Sequence, residues 1–229
     1  EEKEIQQKLG FEKNSLEDLY KYLLILEFNK LNKIIPSIFE NEKDYIELLL
    51  PKDLLSEDSV IGKLIKCIDK EVFKEVEVIG WFYQFYISEK KEEVFSKLSK
   101  NKKITKEEIP TTTQLFTPKW VVKYMIENSL GRLWIEAGKD RYIKEKWKYY
   151  LQDNNNIKTR EDFKLEKLKI LDPACGSGNM LIYSFDVLYE MYLKEGYNEK
   201  NIPKLIIENN LYGIDIDYRV VELAIFSIV

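Results

Sequence analysis

The first hundred residues carry apolar positions at helical spacing, in a stretch dense in Leu, Ile, Lys and Glu with few glycines. Ser15-Leu16-Glu17-Asp18 reads as a capping box opening a helix through about Phe28, whose apolar face is Leu16, Leu19, Leu23, Leu24 and Leu26. Val72 to Ile87 predicts a second helix, with Trp81, Phe82, Phe85 and Tyr86 at helical spacing; a stripe of that kind is expected to be core. Pro36 and Pro51 mark breaks or first-turn positions, and the lysine-rich stretch 97–103 reads as a connector.

From Ile109 the texture changes. Thr117 is a good N-cap and Pro118 a good first residue for a helix whose stripe is Trp120, Val121, Tyr124 and Met125; Leu130-Gly131 is expected to end it. Asp153-Asn154-Asn155-Asn156 reads as a surface loop. A short apolar run, Leu168 to Leu171, then leads into a tight turn. A periodic helix follows from Asn179 and stops at Gly196, with Met180, Leu181, Tyr183, Ser184, Leu188 and Met191 on its face. Asn201 and Pro203 start a short helix, Leu211 to Asp215 is a second strand, and Tyr218 to Val229 a last helix. Strand, helix, strand, helix predicts a parallel pair joined by a crossover.

Composition narrows the chemistry. The chain has 229 residues, two cysteines, no histidine and no run of 18 apolar residues. Cys67 and Cys175 suit a reducing compartment, so a cytoplasmic protein is expected, with neither a disulfide framework nor metal-ligand spacing, and nothing to span a membrane. Without histidine, zinc sites and Ser-His or Cys-His nucleophilic catalysis are set aside. Net charge is -4, but residues 100–150 hold 12 Lys/Arg against 6 Asp/Glu. That band, with Trp120, Trp134, Trp147, Tyr149 and Tyr150, reads either as a track for a phosphate backbone or as an ordinary solvated helical face.

The most telling run is Asp172-Pro173-Ala174-Cys175-Gly176-Ser177-Gly178, set between strand and helix. Such a turn presents backbone N–H groups and a helix N-terminus to a ligand. A second acid, Asp215, ends the next strand 37 residues after Gly178. Two strand-end acids suit S-adenosylmethionine. Asp172 would accept from its ammonium, and Asp215 from both ribose hydroxyls. Ile216 would cover an adenine face, and the amides after Gly176 would favour the carboxylate. Pro173 fixes the turn, while Ala174, Gly176 and Gly178 keep side-chain bulk away. Asp217 reads as a helix cap, and Cys175 as a small packed thiol lacking a neighbouring base. A dinucleotide oxidoreductase would need glycine where Leu181 stands and an acid about 20 residues on; Glu199, nearest that spacing, follows no strand.

The seven-residue run resembles motif I of amino-directed DNA methyltransferases, and Gly213-Ile214-Asp215-Ile216-Asp217 resembles their motif II. Phe116-Thr117-Pro118 is similar to motif X, placed ahead of motif I as in the gamma arrangement of adenine-N6 enzymes. Trp81 to Tyr86 and Ile109 through Trp134 resemble more closely the BREX-type, PglX-like adenine methyltransferases of phage defence. The resemblance implies an α/β fold: a helical N-terminal region over 1–105, then over 106–229 the truncated start of a Rossmann-like methyltransferase domain. It implies that Phe116 and Thr117 lie at the cofactor, Thr117 on the methionine carboxylate, with Asp172 and Ala174 at the methionine moiety and Asp215 with Ile216 at the ribose and adenine. Motif IV, Asn/Asp-Pro-Pro-Tyr/Phe, which holds the flipped target base, occurs nowhere in the sequence. The chain is therefore expected to be a fragment that carries no catalytic residues and does not methylate by itself. Double-stranded DNA, met through the full-length protein, and phage-defence proteins are the expected partners. A methyltransferase acting on protein or RNA, or a non-catalytic defence scaffold, remains the alternative.

Overall fold

The computed structural model describes residues 16–39, 50–51, 53–74, 77–139, 145–152 and 163–229. Ser15 of the expected capping box and the Asp153–Asn156 tract lie outside them. The chain divides into two compact units, Glu1–Glu75 and Val76–Val229.

In the first unit, α1 (Leu16–Asn32) runs four residues past its expected end. None of its residues is buried, and Leu16, Leu23 and Leu26 are exposed, so the leucine face forms no core among the described residues. The Glu17 carboxylate instead accepts from the Leu54 and Leu55 amides, fastening the segment that leads into α2 (Val60–Cys67). Ser59 caps α2 by accepting from the Gly62 amide at 2.9 Å.

The second unit opens with α3 (Glu77–Ser99), then α4 (Ile109–Thr113), α5 (Lys119–Asn128) and α6 (Leu130–Glu136). It continues through β1 (Ile170–Asp172), α7 (Asn179–Lys194), α8 (Ile202–Asn209), β2 (Leu211–Gly213) and α9 (Tyr218–Ile228). It is thus a mixed α/β arrangement around a small sheet. The two strands pair in parallel, Ile170 opposite Leu211 and Asp172 opposite Gly213, with α7 and α8 as the connection.

Helix α7 forms the centre because its apolar positions cover most of its circumference: Leu181, Val187, Leu188, Met191 and Tyr192 are all buried. Around it pack α5, α6, α8, α9 and both strands. Leu188, Met191, Tyr192, Ile202 and Ile206 are fully shielded, each of the aliphatic ones contributing about 1.5–3 kcal/mol. Two buried polar side chains of this unit are fully engaged. Glu127 accepts from the Tyr183 hydroxyl at 2.8 Å and the Tyr149 amide at 2.6 Å. Asn210 donates to the Leu165 and Leu168 carbonyls and accepts from the Tyr192 hydroxyl, holding the start of the sheet against α7.

Four expectations change. The aromatic stripe of α3 is not core: Phe85 is 78% and Tyr86 79% exposed, and Trp81 and Phe82 are exposed as well. The buried line of that helix is Gly80, Ile87 and Val94, spaced by sevens, so helical periodicity identified an apolar face but the wrong one. Residues 97–99 are helical; α3 ends in a left-handed Asn101, with the Lys102 amide bonded back to the Lys97 carbonyl. Gly131 does not end a helix. It sits inside α6, where a Cβ would stand 2.6 Å from the Trp147 ring. Trp134 and Trp147 of the basic band are buried in the core, so neither lies along an external phosphate track.

Candidate functional site

Parallel pairing brings the segments that follow the two strands together, Asp172 ending β1 and Asp215 lying two residues beyond the end of β2. Asp172 ends β1 opposite Gly213, and the Ile214 amide returns to the Asp172 carbonyl at 2.9 Å. The Cys175 amide donates to the Ile214 carbonyl at 3.0 Å, so the two loops beyond the strands continue the pairing. The turn is possible because Gly176 (φ +51) and Gly178 (φ +85) take left-handed conformations that cost any residue bearing a Cβ. Gly178 is the N-cap of α7, and no side chain caps that end. Backbone N–H groups at such a helix start favour an anion.

Both acids are pre-oriented by backbone. The Ala174 amide donates to Asp172 Oδ1 at 3.1 Å. Asp215 accepts from the Gly176 amide on Oδ2 and from the Asp217 amide on Oδ1, each at 2.9 Å. Each oxygen of a carboxylate has a second lone pair, so Asp215 can take one further donor on each. Beside the turn lies a small, partly open cleft.

Of the expected site residues, Phe116, Thr117, Asp172, Ala174 and Gly176 line this cleft. Asp215 does not line it but accepts from the amide of Gly176, which does. Pro173 and Gly178 belong to the turn without lining the cleft. Ile216, next to Asp215, is exposed. Thr117 does not cap α5: Pro118 holds the cap position without a side-chain bond, and the Thr117 carbonyl accepts from Asn179 Nδ2 at 3.2 Å. That bond ties the segment before α5 to the start of α7.

Asp217 is the helix cap it was read as, accepting from the Arg219 amide at 3.1 Å at the head of α9. Burial opposes its charge, yet the Arg219 guanidinium and the Tyr83 hydroxyl together hold its carboxyl below the usual range. Cys175 is buried; burial and then the charges of Asp215 and Asp172 push its thiol up to about 11, which suits packing and not nucleophilic attack. Leu181, where a dinucleotide site would have glycine, packs against β2, its Cδ1 2.8 Å from where a Gly213 Cβ would be.

Ser177, Asn179 and Met180 also line the cleft, although sequence reasoning did not select them. Their place within the Gly-x-Gly pair (Ser177) or immediately after it (Asn179 and Met180) was the available signal. Tyr83, bonded to Asp217 at 2.8 Å, had none.

These features define a small α/β unit with a glycine turn and two adjacent strand-end acids, and the sequence profile "MmeI, DNA-methyltransferase domain" matches residues 150–229. The chain is related more extensively to two bacterial proteins. It is 42% identical over 93% of its length to the adenine-specific methyltransferase BrxX of Escherichia coli O9:H4 (strain HS), and 39% identical over 91% to the adenine-specific methyltransferase PglX of Lacticaseibacillus casei (strain Zhang). A putative type II restriction enzyme and methyltransferase of Methanocaldococcus jannaschii is 31% identical over 48% of the chain. The chain spans 18% of the length of the BrxX and PglX relatives.

Proposed function

We propose that this chain carries the cofactor-binding part of a BREX-type adenine-N6 DNA methyltransferase with a Rossmann-like domain, and that S-adenosylmethionine is its cofactor. The observation that carries the reading is the pair of carboxylates at the ends of adjacent parallel strands, with the glycine turn and an uncapped helix start between them. The donor set fits the group. Asp172, one oxygen of which already holds the Ala174 amide, offers the other to an ammonium. The α7 N-terminus suits a carboxylate. Asp215 offers two acceptor positions, which matches a ribose diol and not a phosphate. Phe116 supplies an apolar wall and Thr117 a polar edge of the cleft. When bound, the cofactor supplies an electrophilic methyl group; this chain's residues bind and orient it.

The intact protein would take a flipped adenine from double-stranded DNA and act with other phage-defence proteins. Because no Asn/Asp-Pro-Pro-Tyr/Phe tetrad occurs in these residues, the 229-residue chain binds cofactor without transferring its methyl group. Isothermal calorimetry tests this directly: S-adenosylmethionine binds and NADH does not. Asp215→Ala weakens binding by on the order of 2–4 kcal/mol, the scale of two lost charge-assisted hydrogen bonds. NADH binding without S-adenosylmethionine binding would remove the reading, and unchanged affinity in Asp215→Ala would remove Asp215 from the ribose.

A further inference from the structure

Two positions on α3, three residues apart and so on one helical face, reach both loops of the site from behind. At Gly80 an added Cβ would stand 3.0 Å from Ser177 Oγ and 3.1 Å from the Phe116 ring. That same ring lies 3.2 Å from where a Gly176 Cβ would be, so Phe116 is clamped between α3 and the glycine turn. Three residues on, the Tyr83 hydroxyl donates to Asp217 Oδ2 at 2.8 Å, and the Arg219 guanidinium lies over the Tyr83 ring at 5.6 Å. Asp217 is 4% exposed and also accepts from Arg219 Nε and Nη2, each at 2.8 Å. It is a fixed anchor. Its own amide holds Asp215 Oδ1, while the Gly176 amide holds Oδ2. The Asp215 carboxylate is therefore oriented by one amide from each loop, and α3 contacts both loops.

Resting on the cofactor reading above, we propose that α3 is a positioning element of the cofactor site, in which Tyr83 orients Asp215 through Asp217 and Gly80 seats Phe116 against the glycine turn. Neither Gly80 nor Tyr83 lines the cleft, so both act through other residues. Helix α3 also lies outside residues 150–229, the part matched as a DNA-methyltransferase domain. The helix ahead of that region thus belongs to the working site.

The test compares Tyr83→Phe with Tyr86→Phe, a change of the same chemistry at an exposed position on the same helix. In the ligand-free chain, amide hydrogen exchange at Gly176 and Asp217 speeds up in Tyr83→Phe and stays unchanged in Tyr86→Phe. Calorimetry then uses S-adenosylhomocysteine and an analogue whose ribose lacks both hydroxyls. Tyr83→Phe lowers affinity for the first about fivefold, a coupling of ordinary size, and leaves the second nearly unchanged. Equal losses for both ligands, or unchanged exchange at both amides, would overturn the positioning role. Binding by the parent chain with no effect of Tyr83→Phe would overturn the α3 assignment alone. No binding by the parent chain would overturn the cofactor reading and this proposal with it.

Discussion

Gly178 is held to glycine twice over. Its φ of +85 is unfavourable for any L side chain, and an added Cβ would stand 2.9 Å from the Ala224 Cβ of α9. Gly178→Ala is expected to destabilise the second unit by about 1–3 kcal/mol, read as a shift of the urea midpoint at constant slope. The two cysteines make a complementary pair. Cys67 is exposed at the end of α2, whereas Cys175 is buried with its thiol pushed up to about 11. A chromogenic disulfide reagent at neutral pH is expected to modify one thiol promptly and the second only in denaturant; two prompt equivalents would contradict the packed setting of Cys175. Single-residue chemistry was legible wherever it was local. Asp217 sits directly before a periodic segment and caps it, and Gly176 and Gly178 take the left-handed turn that two closely spaced glycines imply. Gly131 was not legible, because its reason is the Trp147 ring, contributed from another part of the chain.

Among the elements, α7 was the easiest to read and α3 the hardest, and the contrast has a physical cause. Helix α7 is apolar over most of its circumference, so nearly any neighbour gives it a core. Helix α3 carries two candidate stripes, and the larger, with Trp81, Phe85 and Tyr86, faces outward. Its packed line is built on Gly80, which a hydrophobicity pattern does not count as apolar bulk. The strands were legible for a different reason: each is a short apolar run leading into a turn and an acid, and their register sets Asp172 opposite Gly213, two residues before Asp215. Removing α3 separates its contribution from that of the sheet. A chain of residues 77–229 is expected to unfold cooperatively with intact near-ultraviolet dichroism. One of residues 106–229, deprived of Tyr83 and Gly80, is expected to lose the cooperative transition. Equal cooperativity in the two would place α3 outside the folded unit.

For the molecule as a whole, the division at Glu75 and Val76 assigns α3 to the same compact unit as the sheet. Composition along a sequence does not report contacts between distant residues. The basic band over residues 100–150 shows the same limit. Its charge was countable, but Lys139 and Lys146 pair with Glu195 and Glu190 of the central helix region, and two of its tryptophans are core. The similarity to BrxX and PglX extends over both units.

The Tyr83–Asp217 bond joins residues 134 positions apart. On a translating ribosome, Tyr83 is therefore polymerised roughly 7–27 s before its anchor. Through that interval the helix must wait with its buried line of Gly80, Ile87 and Val94 unclaimed. Nascent chains of this kind are the ones for which chaperone capture and codon pace decide the yield of folded protein.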